Sequence, residues 1–408
     1  VNPGQLKLEL VHHGVMLDAS VREDVGILHT GGAAPGRVAA SEAAVELALP
    51  GELVARVPVH DDTSGAGYVL SVRDGDLIVR RTASGESGHY DVRLNPPPRF
   101  YRRRTTRGTP MSAVAAVHGS HILVSPDTPC ALSSGSVPCS TCAGQRDHAT
   151  TPPSSVEDVV EVIRAAFEEG AAEFVYFAAP FSDTDDRGLA FLEPYIKATK
   201  RHFDTLVAAH LHPPVANSWI DHAYAIGIDA LSFGVDIFDP DLLEERCPGR
   251  IRHIGRDRYY AALEHAAAVF PNGAVWSDLV IGLEPEESTR KGIDALAGIG
   301  VVPVLGVPPV DLQPAAQPDP TALAAPLGAH LYTVVKERGI NMGWLRDLSS
   351  SITPLEARFF VGDEAWLAVT VQNFYRSRVG ALAARNLARF RRRLRVRAVS
   401  DSFDASGL

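Results

Sequence analysis

At 408 residues, 45% hydrophobic and 22% charged, the chain can bury a sizeable core, which excludes a disordered or fibrous protein, and its length points to more than one domain. A formal net charge of -10 argues against a nucleic-acid partner, and four cysteines are too few for a secreted disulfide scaffold. No run of about 18 apolar residues occurs and VNPGQLKLEL lacks a signal-peptide layout, so the expectation is a cytoplasmic protein with no transmembrane segment.

The first elements read as strands and turns. VELAL, LVARVPV, YVLSVRD and DLIVRR are short apolar runs separated by Gly, Asp and Ser. They define a β-rich N-terminal module over residues 1–110, ending near the basic stretch NPPPRFYRRR. From His121 the pattern becomes strand–helix alternation. HILVSP is the first strand, and a long loop follows. A helix is expected from about Ser154 to Glu169, with Ser154 and Glu157 as a capping box and Val156, Val159, Val160, Ile163 and Phe167 on one face. FVYFA, TLVAAHL, ALSFGVDIF, AVWSDLVIGL and VVPVLGV are the later strands, with helical patterns between them and one near Thr321–Lys336 after the last. About six such units, apolar on both faces, predict a parallel sheet with helices outside, either doubly wound or curled into a barrel. In both architectures ligands gather at the carboxyl ends of the strands. Residues 316–408 read as a helical C-terminal extension behind the linker-like LQPAAQPDP, ending in the basic RNLARFRRRLRVR. The plain reading of that basic end is a solvated helix on an acidic body.

Three of the four cysteines fall in one segment, SPDTPCALSSGSVPCSTCAGQ, directly after the first strand. Cys130, Cys139 and Cys142 have the spacing Cys-x8-Cys-x2-Cys, whereas Cys247 is far away in ERCPGR. Clustered thiols point to a metal site. Structural zinc would recruit a fourth ligand such as His148. Three thiolates without a close fourth suit an iron–sulfur cluster with one iron left open. Chance clustering is the third alternative.

The placement of these cysteines after the first strand of a six-unit series resembles the radical S-adenosylmethionine superfamily, over roughly residues 111–315. The resemblance implies a partial (β/α)6 TIM-type barrel, a [4Fe-4S] cluster on Cys130, Cys139 and Cys142, and S-adenosyl-L-methionine (SAM) as cosubstrate. It implies a biosynthetic enzyme acting on a small-molecule substrate and drawing electrons from an external one-electron reductant such as flavodoxin or ferredoxin. The commonest family spacing is Cys-x3-Cys-x2-Cys, and the residue before Cys142 is Thr141 instead of an aromatic. The biotin synthase-like branch is the nearest match. There, the end of the second strand (Ala178, Ala179) would receive the methionine amino group. Asp236, ending the fourth strand, would contact the ribose, and Arg258 would hold the methionine carboxylate. Gly282 would let the backbone approach adenine, and Glu284 would order that loop. His212 is the candidate for substrate binding or proton exchange, with Asp183 in the acidic stretch after the second strand. Segments beyond residue 315 are expected to enclose the substrate over the barrel, leaving the Arg-rich end at the surface.

Two other function classes compete. One is a non-catalytic iron–sulfur or zinc-binding protein. The other is a metal-dependent hydrolase using His210 and His212, which alternate on the third strand, with Asp278 on a later one. No Walker-type loop, Gly-x-Gly-x-x-Gly fingerprint or Gly-x-Ser-x-Gly elbow is present. Rearrangement, epimerisation, oxidation and carbon–carbon bond formation all fit the favoured reading. Sulfur insertion fits less well, because a second cluster would need more thiols than Cys247.

Overall fold

The computed structural model describes residues 2–22, 29–30, 43–61, 67–82, 88–125, 130–132, 153–308 and 319–406, with backbone alone at 22, 29–30 and 396–406. Two eight-stranded sheets organise the described residues. The N-terminal sheet is largely antiparallel. Its short strand Val15–Leu17 runs parallel to both Leu53–His60 and Tyr68–Arg73.

The second sheet carries the six strands expected from sequence. They are His121–Val124, Phe174–Ala178, Val207–His210, Ala230–Ser232, Val275–Val280 and Val302–Gly306, all parallel and in sequential order. Antiparallel strands flank them, Ala115–His118 beside the first and Ser351–Ile352 beside the sixth. The sequence reading did not foresee these edges, so the sheet is a curled half-barrel of eight strands. Sequential order has no switch point. Right-handed crossovers then put the connecting helices on one face, which removes the doubly wound alternative.

Capping sets the helix limits. Leu189–His202 and Ser218–Ile226 start beside Gly188 and Asn217 and end beside Phe203 and Gly227, as the sequence patterns indicated. The first helix after a parallel strand is Val156–Glu168, and its N-cap is Ser155, whose Oγ accepts from Asp158 N, one residue beyond the expected box. Ser154-x-x-Glu157 and Ser155-x-x-Asp158 both satisfy the pattern. The Ser154 carbonyl is taken by the Tyr195 hydroxyl at 2.7 Å.

Two segments depart further from expectation. Residues 3–13 form a helix inside the module read as strands. It is buried nearly all round: Lys7 has no exposed surface and pairs with Glu356 at 2.8 Å, while Glu9 meets Tyr68 and Arg81. A helix buried on every side shows no amphipathic stripe, so periodicity could not reveal it. Of the described chain beyond residue 315, Pro320 packs against Gly282, just past the carboxyl end of the fifth strand, where the expected enclosure would lie. Helix Ala324–Glu337 packs beside Glu286–Gly298 and the sixth strand, in the barrel's own helix layer. Residues 344–348 and helices Trp366–Arg376 and Arg378–Ser406 instead contribute side chains at the amino-terminal ends of the strands. Among the described residues, no helix is long and apolar enough to cross a membrane.

Candidate functional site

The carboxyl ends of the first four strands bring polar side chains to one place. Cys130 is buried against Leu132 and Phe181, with Ile254 packed beside them. The backbone fixes this contact, since Ala131 N donates to the Phe181 carbonyl at 2.9 Å. The loop carrying Cys130 is thus tied to the loop after the second strand. Cys139, Cys142 and His148 lie outside the described residues.

Phe181 is the hub. Its ring meets His212 edge-on at 5.4 Å and His253 at 5.7 Å, and the Arg187 guanidinium lies 4.8 Å from its centre. Arg187 also donates to Asp183 at 3.0 Å and to the His253 carbonyl at 2.7 Å. Asp183 is exposed and also faces His253 at 3.5 Å, so it forms the rim and not the floor. Ala178 and Ala179 are fully covered, and Ala179 N donates to the His210 carbonyl.

His212 shares a hydrogen bond with the Tyr259 hydroxyl at 3.0 Å. Burial holds its pKa well below the ordinary histidine value, and the positive charges of Arg250 and Arg187 act in the same direction. The imidazole is therefore neutral near pH 7. His210 turns to Ser232 at 3.2 Å. His210, His212 and Asp278 do not converge as metal ligands: among the described residues the only such trio is His12, His13 and Asp319. The hydrolase alternative therefore has no ligand set there.

The fourth strand stops at Ser232 and pairing resumes at Asp236, which bridges to Leu279. Asp236 is buried with φ +66°, a left-handed conformation that aspartate tolerates better than most residues. Its Oδ2 pairs with Arg250 at 2.8 Å, both side chains being almost wholly buried. Arg250 further donates to the Gly234 carbonyl at 3.2 Å. The sequence reading missed Arg250, which sits on a short helix, Pro248–His253, too brief for periodicity to show. Its signal was composition alone, a basic residue beside Cys247 in CPGRIRH.

Arg258 donates through Nε to the Pro214 carbonyl at 2.6 Å, while its buried Nη2 has no hydrogen-bond partner. Burial lowers its pKa. A buried guanidinium nitrogen without a partner is costly, and an anionic ligand group would satisfy it. Glu284 accepts from Phe238 N, Asp239 N, Ser288 Oγ and Thr289 Oγ1 at 2.7–3.1 Å, clamping the loops after the fourth and fifth strands together. Gly282 has φ +86°, and a Cβ there would lie 2.6 Å from the Pro320 side chain. Its close approach is to Pro320. Cys247 is buried among Ile237, Leu243, Val280 and Leu283, in a cluster separate from that of Cys130.

No protein-family model matches the sequence. No curated protein matches it either. Among solved structures, the chain resembles the cobalamin-dependent S-adenosylmethionine radical enzyme OxsB with aqua-cobalamin bound, at 11% identity and a TM-score of 0.34. The same enzyme with aqua-cobalamin and S-adenosylmethionine bound gives 11% and 0.33. Each match covers 66% of this chain and 45% of OxsB, so the chain spans less than half the length of that enzyme.

Proposed function

We propose that the chain is a radical SAM enzyme acting on a small-molecule substrate. The observation that carries this reading is the position of Cys130. It is buried at the carboxyl end of the first of six sequential parallel strands, in contact with the hub that joins the second and third strand ends. Cys130, Cys139 and Cys142 would hold a [4Fe-4S] cluster, since three thiolates leave one iron for SAM. When bound, the cluster and SAM would supply one-electron cleavage of the sulfonium and hydrogen abstraction by the 5′-deoxyadenosyl group.

This chain's residues bind and orient. The unpartnered Nη2 of Arg258 fits a carboxylate such as that of the methionine moiety. Asp236, held by Arg250 through Oδ2, would accept the ribose hydroxyls, and the backbone at Ala178 and Ala179 would face the amino group. Neutral His212 would bind substrate or exchange a proton, oriented by Tyr259. Gly282 and Glu284 shape the rim by packing and loop clamping. Within the superfamily, the acidic fourth-strand end and the arginine after it favour the biotin synthase-like branch. Residues 111–315 would form the catalytic unit, with residues 1–110 and 316–408 flanking it, and an external one-electron reductant would serve it.

Anaerobic reconstitution tests the ligand set. Cys130→Ala, Cys139→Ala and Cys142→Ala should each lose the cluster, while Cys247→Ala keeps it. A full, SAM-responsive cluster in Cys139→Ala would refute the assignment. Arg258→Met should keep its iron and weaken SAM binding by about 10- to 100-fold, the worth of one charge-assisted hydrogen bond of roughly 1.5–3 kcal/mol. Unchanged SAM affinity would remove Arg258 from the site.

A further inference from the structure

The half-barrel has a second mouth, at the amino-terminal ends of its strands. In a full barrel that end serves stability. Here it holds a cavity of about 90 Å³ that opens to solvent. Four rings line it. Tyr176 and Trp276 come from the second and fifth strands with their centres 5.9 Å apart. Trp344 and Tyr375 come from the C-terminal segment, perpendicular at 5.9 Å. Among the described residues, neither Cys130 and Cys247 nor the His212 hub lines it.

Two lining residues carry nitrogens without partners. His121 opens the first strand and is buried, and its Nδ1 makes no hydrogen bond. Arg346 has a side chain only 10% exposed and pairs with Glu173 and Asp347, yet its Nη1 has no partner. The acidic groups of the lining are already engaged: Glu173 with Arg346, and Asp229 with Lys200 and Arg392. What the cavity still offers is aromatic faces, a guanidinium N–H and an imidazole nitrogen. Such a site takes a flat apolar body with an acceptor on its edge.

We propose that this cavity binds a planar aromatic molecule bearing a carboxylate, at a site separate from the cysteine-loop mouth. The rings sandwich the flat body and Arg346 meets the carboxylate. The C-terminal helices supply one wall through Ala381, Ala384 and Arg385, so occupancy couples to their docking.

Calorimetric titration of the full chain with 2-naphthoate and with uncharged 2-naphthol tests the proposal. Wild type should bind one equivalent of either probe, naphthoate more tightly. Ala230→Phe, which fills the cavity from the fourth strand, should weaken both at least about tenfold. Arg346→Met should weaken naphthoate about tenfold and naphthol less than about twofold. Leu387→Ser, on the exposed face of the last helix, should change neither. Thermal melts establish that each variant is folded. If Ala230→Phe does not fold, Ala381→Phe fills the cavity from the helix wall instead. Absence of binding to wild type, or binding that survives the filled variants, overturns the proposal. So does binding lost in Leu387→Ser alone, which places the probe on the helix surface.

Discussion

The Asp236–Arg250 pair is the most consequential contact between two side chains at the candidate site. Both charges are buried, so removing one partner strands the other in a medium that solvates it poorly. Arg250→Met should therefore cost about 3–5 kcal/mol in urea unfolding. A loss under about 1 kcal/mol would mean that water reaches the pair. His121 gives a pH-dependent counterpart at the other mouth. Burial pushes its pKa down to about 4, with Asp347 opposing. Between about pH 6.5 and 4 the unfolded chain takes up a proton there that the folded protein refuses. The stability from keeping the ring neutral is complete above about pH 6.5. It falls as the pH drops, by about 3 kcal/mol at pH 4. His212, also lowered, adds a loss of the same sign. His121→Phe should flatten the fall in unfolding free energy between pH 6.5 and 4. An unchanged slope would assign it to other groups.

At the scale of elements, the loops after the fourth and fifth strands behave as one unit because Glu284 accepts from both. Glu284→Ala leaves the Phe238 and Asp239 N–H groups unsatisfied and should cost about 2–4 kcal/mol, with SAM affinity falling as the loop around Asp236 loosens. Stability within about 0.5 kcal/mol of wild type would show that the clamp is dispensable. Glu284 was legible in sequence as a loop-ordering residue, but its Phe238 and Asp239 partners were not, since they come from a segment more than forty residues earlier. Long, amphipathic elements were read well. Leu189–His202 is one, its ends marked by Gly188 and Phe203. The fourth strand was read too long, as ALSFGVDIF. Its backbone breaks after Ser232 and resumes at left-handed Asp236, and hydrophobicity does not encode that break. The cysteine loop was read as a ligand set only through its position after a strand, and of its three cysteines Cys130 lies among the described residues.

Across the whole molecule, the flanking segments touch opposite ends of the half-barrel. The N-terminal helix ends with His12 bonded to the Pro308 carbonyl, just beyond the sixth strand's carboxyl end. The last helix docks at the other end through three of its arginines: Arg385 and Arg389 meet Asp204, and Arg392 meets Asp229, while Arg391 and Arg393 stay exposed. The acidic body was foreseen. The turn of Leu382, Leu387, Phe390 and Leu394 toward solvent was not, because a count of arginines does not say which face carries them. Removing residues 378–408 should leave a folded barrel with its amino-terminal cavity opened, seen as a red shift of tryptophan emission from Trp276 and Trp344. Global unfolding of that truncation would show that the helix holds the fold and is more than a wall. The central claim is radical SAM chemistry at the carboxyl mouth. Its most direct measurement is 5′-deoxyadenosine released from SAM by the anaerobically reconstituted chain under strong reductant. The account predicts release that depends on reductant and vanishes in Cys130→Ala and Cys139→Ala. No release from wild type carrying a full iron and sulfide complement would contradict it.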